Sequence, residues 1–244
     1  MDFDDISRVV PWIETAAMLG VDLNAPQRAE PRGYKSHLPY DQLPAGALYV
    51  VALRDPRDAL VSMYRFMEGW WSEPGMIPIA EFAADWAGRE AHYWRHLASW
   101  WEQRDNPDVL LLSYEHMVDA PELHIRKLAD FAGIPLDDEL LALTLERSSF
   151  DYMLRHKDRF DDAMIRLHME EHGILPKGGD SAKVRKGGSG GHRTELSAET
   201  AAMLDGKWRE LITPRFGLPD YAALEAELRE RFGADAAARK GDRH

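Results

Sequence analysis

The chain has no cysteine, which removes disulfides, thiolate metal sites and cysteine nucleophiles and agrees with a reducing cytoplasm. It also lacks any apolar run approaching a bilayer span. Its first twenty residues carry four acidic side chains, without the basic n-region and apolar core of a secretory leader. Positive charge is in deficit: 30 Lys and Arg against 42 Asp and Glu leave a net charge of −12. The surface as a whole therefore repels nucleic acid and anionic membrane, and an anionic ligand needs a local basic site. No Gly-x-x-x-x-Gly-Lys-Ser/Thr loop is present, which argues against a nucleotide kinase. What remains is a soluble, cytoplasmic chain of 244 residues, 45% of them hydrophobic, enough for a single domain spanning 1–244 with a sizeable core.

What is present is organised as strands that run into helices. Residues 49–53, Tyr-Val-Val-Ala-Leu, read as a buried parallel strand ending in Arg54. Asp55 can then cap a helix whose first turn takes Pro56, with Ser62 about two turns further on. Arg54 and Ser62 can hold one anion together; taken singly, each is an ordinary strand-edge arginine or a solvated helix serine. A second strand is expected at 108–113, followed by a helix in which Ile125, Leu128, Ala129 and Ala132 share a face until Gly133 and Pro135 end it. Residues 2–19, 79–102, 137–147, 197–212 and 221–232 carry helical patterns, and about 233–244 are expected to fray. Strands alternating with helices predict an α/β three-layer sandwich around a central parallel sheet, with ligands bound beyond the strand C-termini.

Lys35 and His37 stand two apart in Tyr34-Lys-Ser-His-Leu-Pro39, so an extended segment presents both on one side, a cation beside a possible base. Residues 183–193 form a basic, glycine-rich stretch. It is either a solvated loop or a lid whose backbone N–H groups approach an anion closely. Trp70, Trp71, Trp86, Trp94, Trp100 and Trp101 read mainly as core, with Trp70 and Trp71 as candidates for an acceptor wall. His168, Glu170, Glu171 and His172 have the spacing of a solvated helix face rather than of a metal site.

The order of these segments resembles the sulfotransferase family that uses 3′-phosphoadenosine 5′-phosphosulfate as donor. Lys35-Ser-His37 is followed by Val50-Val-Ala-Leu-Arg-Asp-Pro-Arg-Asp58 and Ser62. Tyr114-Glu-His-Met117 is similar to the family's Tyr-Glu-Asp-Met, Ser148-Ser-Phe150 with Met153 to its Thr-Ser-Phe-x-x-Met, and Arg185-Lys-Gly187 to its Arg-Lys-Gly triplet. The resemblance implies a P-loop-kinase-like sandwich, and binding of the nucleotide 3′-phosphate by Arg54, Ser62, Arg185 and the backbone at Lys186 and Gly187. It further implies an adenine pocket lined by Tyr114, Ser148 and Phe150, with His37 as catalytic base and Lys35 as charge stabiliser, no metal, and a small-molecule alcohol or phenol as acceptor. Two departures stand out. Gly190-Gly191-His192 replaces the family's Gly-Asp-Trp, and nothing before Lys35 matches the family's N-terminal phosphosulfate-binding loop. The second departure predicts a sheet lacking its first strand and self-association through an open edge. It also keeps a second reading in view: an inactive nucleotide-binding or interaction module that retains only the 3′-phosphate half-site.

Overall fold

The computed structural model describes residues 3–70, 75–88, 91–175, 183–184 and 187–241, with side chains described except at 69, 70 and 234–241. In chain order the elements are α1 (Ile13–Leu19), β1 (Tyr49–Leu53), α2 (Pro56–Trp70), α3 (Ile79–Gly88), α4 (His92–Trp101), β2 (Val109–Ser113), α5 (Tyr114–Asp119), α6 (Pro121–Phe131) and α7 (Asp138–Ser148), followed by α8 (Phe150–Arg155), α9 (Ala163–Glu171), α10 (His192–Glu195), α11 (Ala198–Leu211), α12 (Thr213–Phe216) and α13 (Tyr221–Gly241). Two compact units emerge: Met1–His37, Met63–Pro78 and Asp137–Gly187 in the first; Leu38–Ser62, Ile79–Leu136 and Gly188–His244 in the second. Helix α2 is shared between them.

The second unit holds the sheet. Among the described residues it has two parallel strands, with Leu53 paired to Ser113 at the C-terminal end. Every residue of β2 is buried, as a continuous apolar run in a parallel sheet requires. Val109 and Leu111 face a large core with Val51, Leu53, Leu60, Trp94, Leu97, Trp101, Leu204, Trp208 and Leu224. Leu110 and Leu112 face a smaller cluster with Phe232, Met117, Leu128 and Phe131. Helices thus cover both faces of β2, as the alternation of strands and helices predicts.

The tryptophan-rich stretch forms two helices rather than one, broken at Ala91, whose φ is +49°. Trp94, Trp100 and Trp101 are core residues as expected, while the Trp70 side chain and Trp71 lie outside the described residues. Helix α13 runs on past Phe232 to Gly241. The expected single helix over 2–19 is instead a 3₁₀ turn at Ile6–Arg8 followed by α1.

Strand β1 is covered on one side only. Val51 and Leu53 are buried, but Val50 is 49% exposed and Leu48 just before it is 51% exposed. Two half-exposed aliphatic side chains next to a strand edge unpaired among the described residues favour association between copies, since covering the rest of one such side chain is worth roughly 1 kcal/mol. The weight-average mass by light scattering is expected to rise with concentration, and Val50→Lys to suppress the rise. A concentration-independent monomer would show that this face is inert.

Behind β2, α6 buries His124 and Lys127 together with Ala129, whereas Ile125 and Leu128 are only partly covered, so the buried face is rotated from the expected one. The His124 ring stacks at 4.4 Å on Phe232 of α13 and lies 4.6 Å from His116. Its Nδ1 is 2.9 Å from the Ala120 carbonyl, while its Nε2 is buried with no partner among the described residues. Burial lowers the pKa of both histidines, with His124 disfavouring the charged His116 and Arg229 disfavouring both. A histidine depressed in the folded state takes up fewer protons than the unfolded chain below the ordinary value of about 6.5, so stability falls as pH drops through that value. His124→Phe keeps the ring and removes the titration. The loss of Tm between about pH 7.5 and about pH 5.5 is expected to be smaller in that variant, and an unchanged loss would take His124 out of the acid response.

The first unit packs Ile165 and Leu175 against Trp12, Leu19, Phe66 and Met169. Asp5, 2% exposed, accepts the Ser7 N–H at 2.7 Å and the Met164 N–H at 2.9 Å, tying the N-terminal segment to the start of α9. Asp137 and Ser149 cap α7 and α8 through the N–H groups of Leu140 and Tyr152.

Candidate functional site

The strand register determines the first cluster, which lies in the second unit. Because Leu53 pairs with Ser113, the next residues, Arg54 and Tyr114, leave the sheet side by side, and the Arg54 guanidinium lies over the Tyr114 ring at 4.4 Å. Asp55 caps α2 through the Arg57 N–H at 2.9 Å, as its position before Pro56 predicts. Glu115 joins the two strand ends: it accepts the Asp55 N–H at 3.2 Å, the Ser113 hydroxyl at 3.1 Å and the Tyr221 hydroxyl at 2.6 Å. Tyr93 donates its hydroxyl to the Arg54 carbonyl. Burial, together with the nearby Asp55 and Glu115 carboxylates, raises the Tyr93 hydroxyl well above its ordinary pKa, so it stays a donor.

The arginine is thus held by backbone and ring contacts while most of its donors stay available. One terminal nitrogen donates to the Gly188 carbonyl at 3.2 Å, and Nε is buried with no partner among the described residues. A buried guanidinium N–H with no acceptor fits an anionic oxygen arriving with a ligand. Ser62 stands exposed further along α2.

Asp58, one turn into α2, anchors the glycine-rich loop. Its carboxylate accepts the backbone N–H of Gly190 at 2.5 Å and of His192 at 3.0 Å, and pairs with His192 Nδ1 at 2.9 Å. Burial alone would raise the Asp58 pKa; the two backbone donors and the imidazole outweigh it and hold the carboxyl below its usual range. His192, which stands where the resembled family has tryptophan, is therefore an anchor. Residues 188–192 are fastened to α2, not a free solvated loop.

In the first unit, the 34–37 segment is extended and bridges to residues 11–13: Lys35 N–H donates to the Pro11 carbonyl at 2.9 Å and Ile13 N–H to the Lys35 carbonyl at 3.0 Å. The predicted same-side pair is realised on one indole. The Lys35 ammonium lies 3.9 Å over the Trp12 ring, and the His37 ring meets the same ring edge-on at 5.0 Å. Glu14 accepts the His37 backbone N–H at 2.6 Å. Burial, with the Lys183 cation adding to it and Asp162 opposing, brings the Lys35 pKa down to about 8. The packing around His37 and the Lys35 cation lower its pKa, so the imidazole is neutral near pH 7 although its surface remains open.

Phe150 and Gly187 also meet in this unit. Gly187 has φ +65°, and a Cβ there would lie 2.6 Å from the Phe150 ring, so both backbone and neighbour demand glycine. The Ser148 hydroxyl is turned back onto the Thr144 carbonyl at 2.7 Å. Arg185 and Lys186 lie outside the described residues. Among those described, no group of three or more His, Cys, Asp or Glu could hold a metal ion, and no helix is long and apolar enough to cross a membrane. Trp12, Asp58 and Asp162 were not legible as site residues: Trp12 is 23 positions from Lys35 in sequence, and no local pattern joins them.

The profile of the sulfotransferase domain family matches residues 2–213. Luciferin sulfotransferase of Photinus pyralis is 30% identical over 187 residues, 71% of this chain and 48% of that protein; sulfotransferase 1A1 of Mus musculus is 27% identical over 191 residues, 75% and 63%. The chain thus spans about half to under two thirds of the length of these relatives. Among solved structures, a mouse sulfotransferase complexed with PAP superposes with a TM-score of 0.64 at 21% identity, covering 84% of this chain and 72% of that one. Retinol dehydratase in complex with androsterone and PAP gives 0.63 at 24%, covering 81% and 56%. At these identities the two structures share the fold, an α/β architecture of which this chain displays a two-stranded parallel sheet among many helices. With the family profile covering most of its length, the chain belongs to the sulfotransferase domain family.

Proposed function

We propose that this protein is a sulfotransferase that moves a sulfuryl group from 3′-phosphoadenosine 5′-phosphosulfate to the hydroxyl of a small-molecule alcohol or phenol. The observation that carries this reading is the His37 ring beside the Lys35 ammonium on the Trp12 indole. The donor supplies an electrophilic sulfur and leaves as adenosine 3′,5′-bisphosphate. His37 accepts the acceptor hydroxyl proton as the new S–O bond forms, and the Lys35 ammonium offsets negative charge on the oxygen from which sulfur departs. Arg54, stacked on Tyr114 with an unspent Nε–H, serves the 3′-phosphate of the nucleotide. By the family resemblance alone, Ser62, Arg185 and the backbone at Lys186 and Gly187 are assigned to phosphate binding, and Ser148 and Phe150 to the adenine side. Gly187 against Phe150 supports the close approach such a pocket needs. The in-turned Ser148 hydroxyl means that its contact with nucleotide requires a rotamer change. The names of the relatives, which include luciferin and 3-alpha-hydroxysteroid sulfotransferases, support a hydroxylated small molecule as acceptor.

The test is transfer of radiolabelled sulfate from the donor to a panel of phenols and alcohols. Labelled product, dependent on acceptor, is expected. Binding of adenosine 3′,5′-bisphosphate without any transfer would favour the inactive nucleotide-binding module instead.

A further inference from the structure

Asp162 stands at the N-cap position of α9, yet its side chain does not cap that helix. The carboxylate is 3% exposed and lies between two lysines: Oδ2 meets Lys183 Nζ at 2.5 Å, whereas Oδ1 is 3.7 Å from Lys35 Nζ and has no hydrogen-bond partner among the described residues. One buried carboxylate thus serves two ammonium groups unequally. The distance to Lys183 is that of a short charge-assisted bond, and the distance to Lys35 is too long for a hydrogen bond. Two partly exposed cations share one buried anion, which leaves a surplus of positive charge, and the cation held at the longer distance, Lys35, receives less of the carboxylate's stabilisation. Lys35 rests instead on the Trp12 indole at 3.9 Å.

We propose that Asp162 and Lys183 are positioning residues that together hold the Lys35 ammonium in place and set its charge. Asp162 keeps the amine protonated and close; Lys183 occupies the better half of the carboxylate and repels it. Lys35 is left able to turn its N–H groups toward an incoming oxygen. Lys183 lies two residues before Arg185, so the segment expected to bind the nucleotide also adjusts the amine expected to act on the transferred group. Next to Lys35 on its own segment stands the titratable His37, which in turn faces Glu14 of α1, whose carboxylate accepts the His37 backbone N–H. The catalytic meaning of this arrangement rests on the sulfotransferase reading; the charge arrangement itself does not.

The two neighbours push Lys35 in opposite directions, which gives a test with two signs. Competitive acetylation of the lysines by acetic anhydride across pH, read by peptide mass spectrometry, yields the titration midpoint of Lys35 without any enzymatic assay. The wild-type midpoint is expected at about 8. Lys183→Gln is expected to raise it, and Asp162→Asn to lower it, each by about one pH unit. The alkaline limb of kcat/KM should move with the same midpoints, a coupling that a merely structural role for Asp162 does not produce. Lys183→Gln sits at an exposed residue and keeps the test decisive should Asp162→Asn fail to fold. A midpoint that stays put in Lys183→Gln, or moves the same way in both variants, overturns the proposal. Opposite shifts with no sulfate transfer in any chain uphold the charge arrangement and remove the sulfotransferase reading instead.

Discussion

His37→Ala is expected to lower sulfate transfer by roughly 10²-fold or more while leaving the affinity for adenosine 3′,5′-bisphosphate nearly unchanged, because a base acts on the acceptor proton and not on the nucleotide. The imidazole is suited to this work at neutral pH. The packing around the ring and the Lys35 cation disfavour its protonated form, so the lone pair is available where an unperturbed histidine would already be partly charged. The acidic limb of the kcat/KM profile is accordingly expected below the ordinary histidine value of about 6.5, while the alkaline limb follows Lys35 at about 8. Lys35→Ala removes the alkaline limb together with most of the rate. The measurement is labelled-product formation across pH in wild type and both variants. Full activity in His37→Ala would remove it as the base.

Arg54→Ala is expected to weaken adenosine 3′,5′-bisphosphate binding by about 1.5–3 kcal/mol, or about 10- to 150-fold, while scarcely affecting adenosine 5′-monophosphate. The effect is large because the guanidinium is already fixed in place: stacked on Tyr114, bonded to the Gly188 carbonyl, and with Nε buried and unspent. A ligand oxygen that meets it satisfies a donor whose desolvation has already been incurred in folding, so little ordering opposes the contact. Arg54→Lys keeps the charge but loses the planar fork and the ring stacking, and is expected to recover only part of the affinity. Calorimetry with both nucleotides separates the cases. Equal affinity for the two, unchanged in Arg54→Ala, would dispose of the 3′-phosphate assignment.

The parts of the site that were legible are those in which chemistry is local to a few residues. Arg54-Asp-Pro announces a strand end, a cap and a helix start within three positions, whereas for the second strand only its span was legible, and the Ser113 cap of the short helix from Tyr114 came from the structure. Lys35 and His37 follow from the two-residue period of extended chain. Partners far apart along the chain were not legible. Asp58 reaches Gly190 and His192 across more than 130 residues, and nothing in the run Arg-Asp-Pro-Arg-Asp, which shows Asp55 as the cap, tells that its second aspartate anchors a distant loop. The helix in residues 121–131 shows the same limit: its pattern points to an aliphatic face, but the ring of Phe232 on α13 draws His124 and Lys127 inward.

By itself, then, the sequence determined the alternation of strands and helices, the strand-to-helix turn at Arg54-Asp-Pro, the family resemblance, and the residue types offered as candidates for anion binding and proton transfer. These rest on short-range propensities and on the order of motifs, both of which are written locally. Tertiary structure alone decided which charges meet. It placed Lys35 and His37 on a single indole, left Arg54 with an unspent N–H, and set Asp162 between two lysines at unequal distances. The reason is that charge and protonation state depend on distance and on exclusion of water, and neither exists until segments remote in sequence pack together.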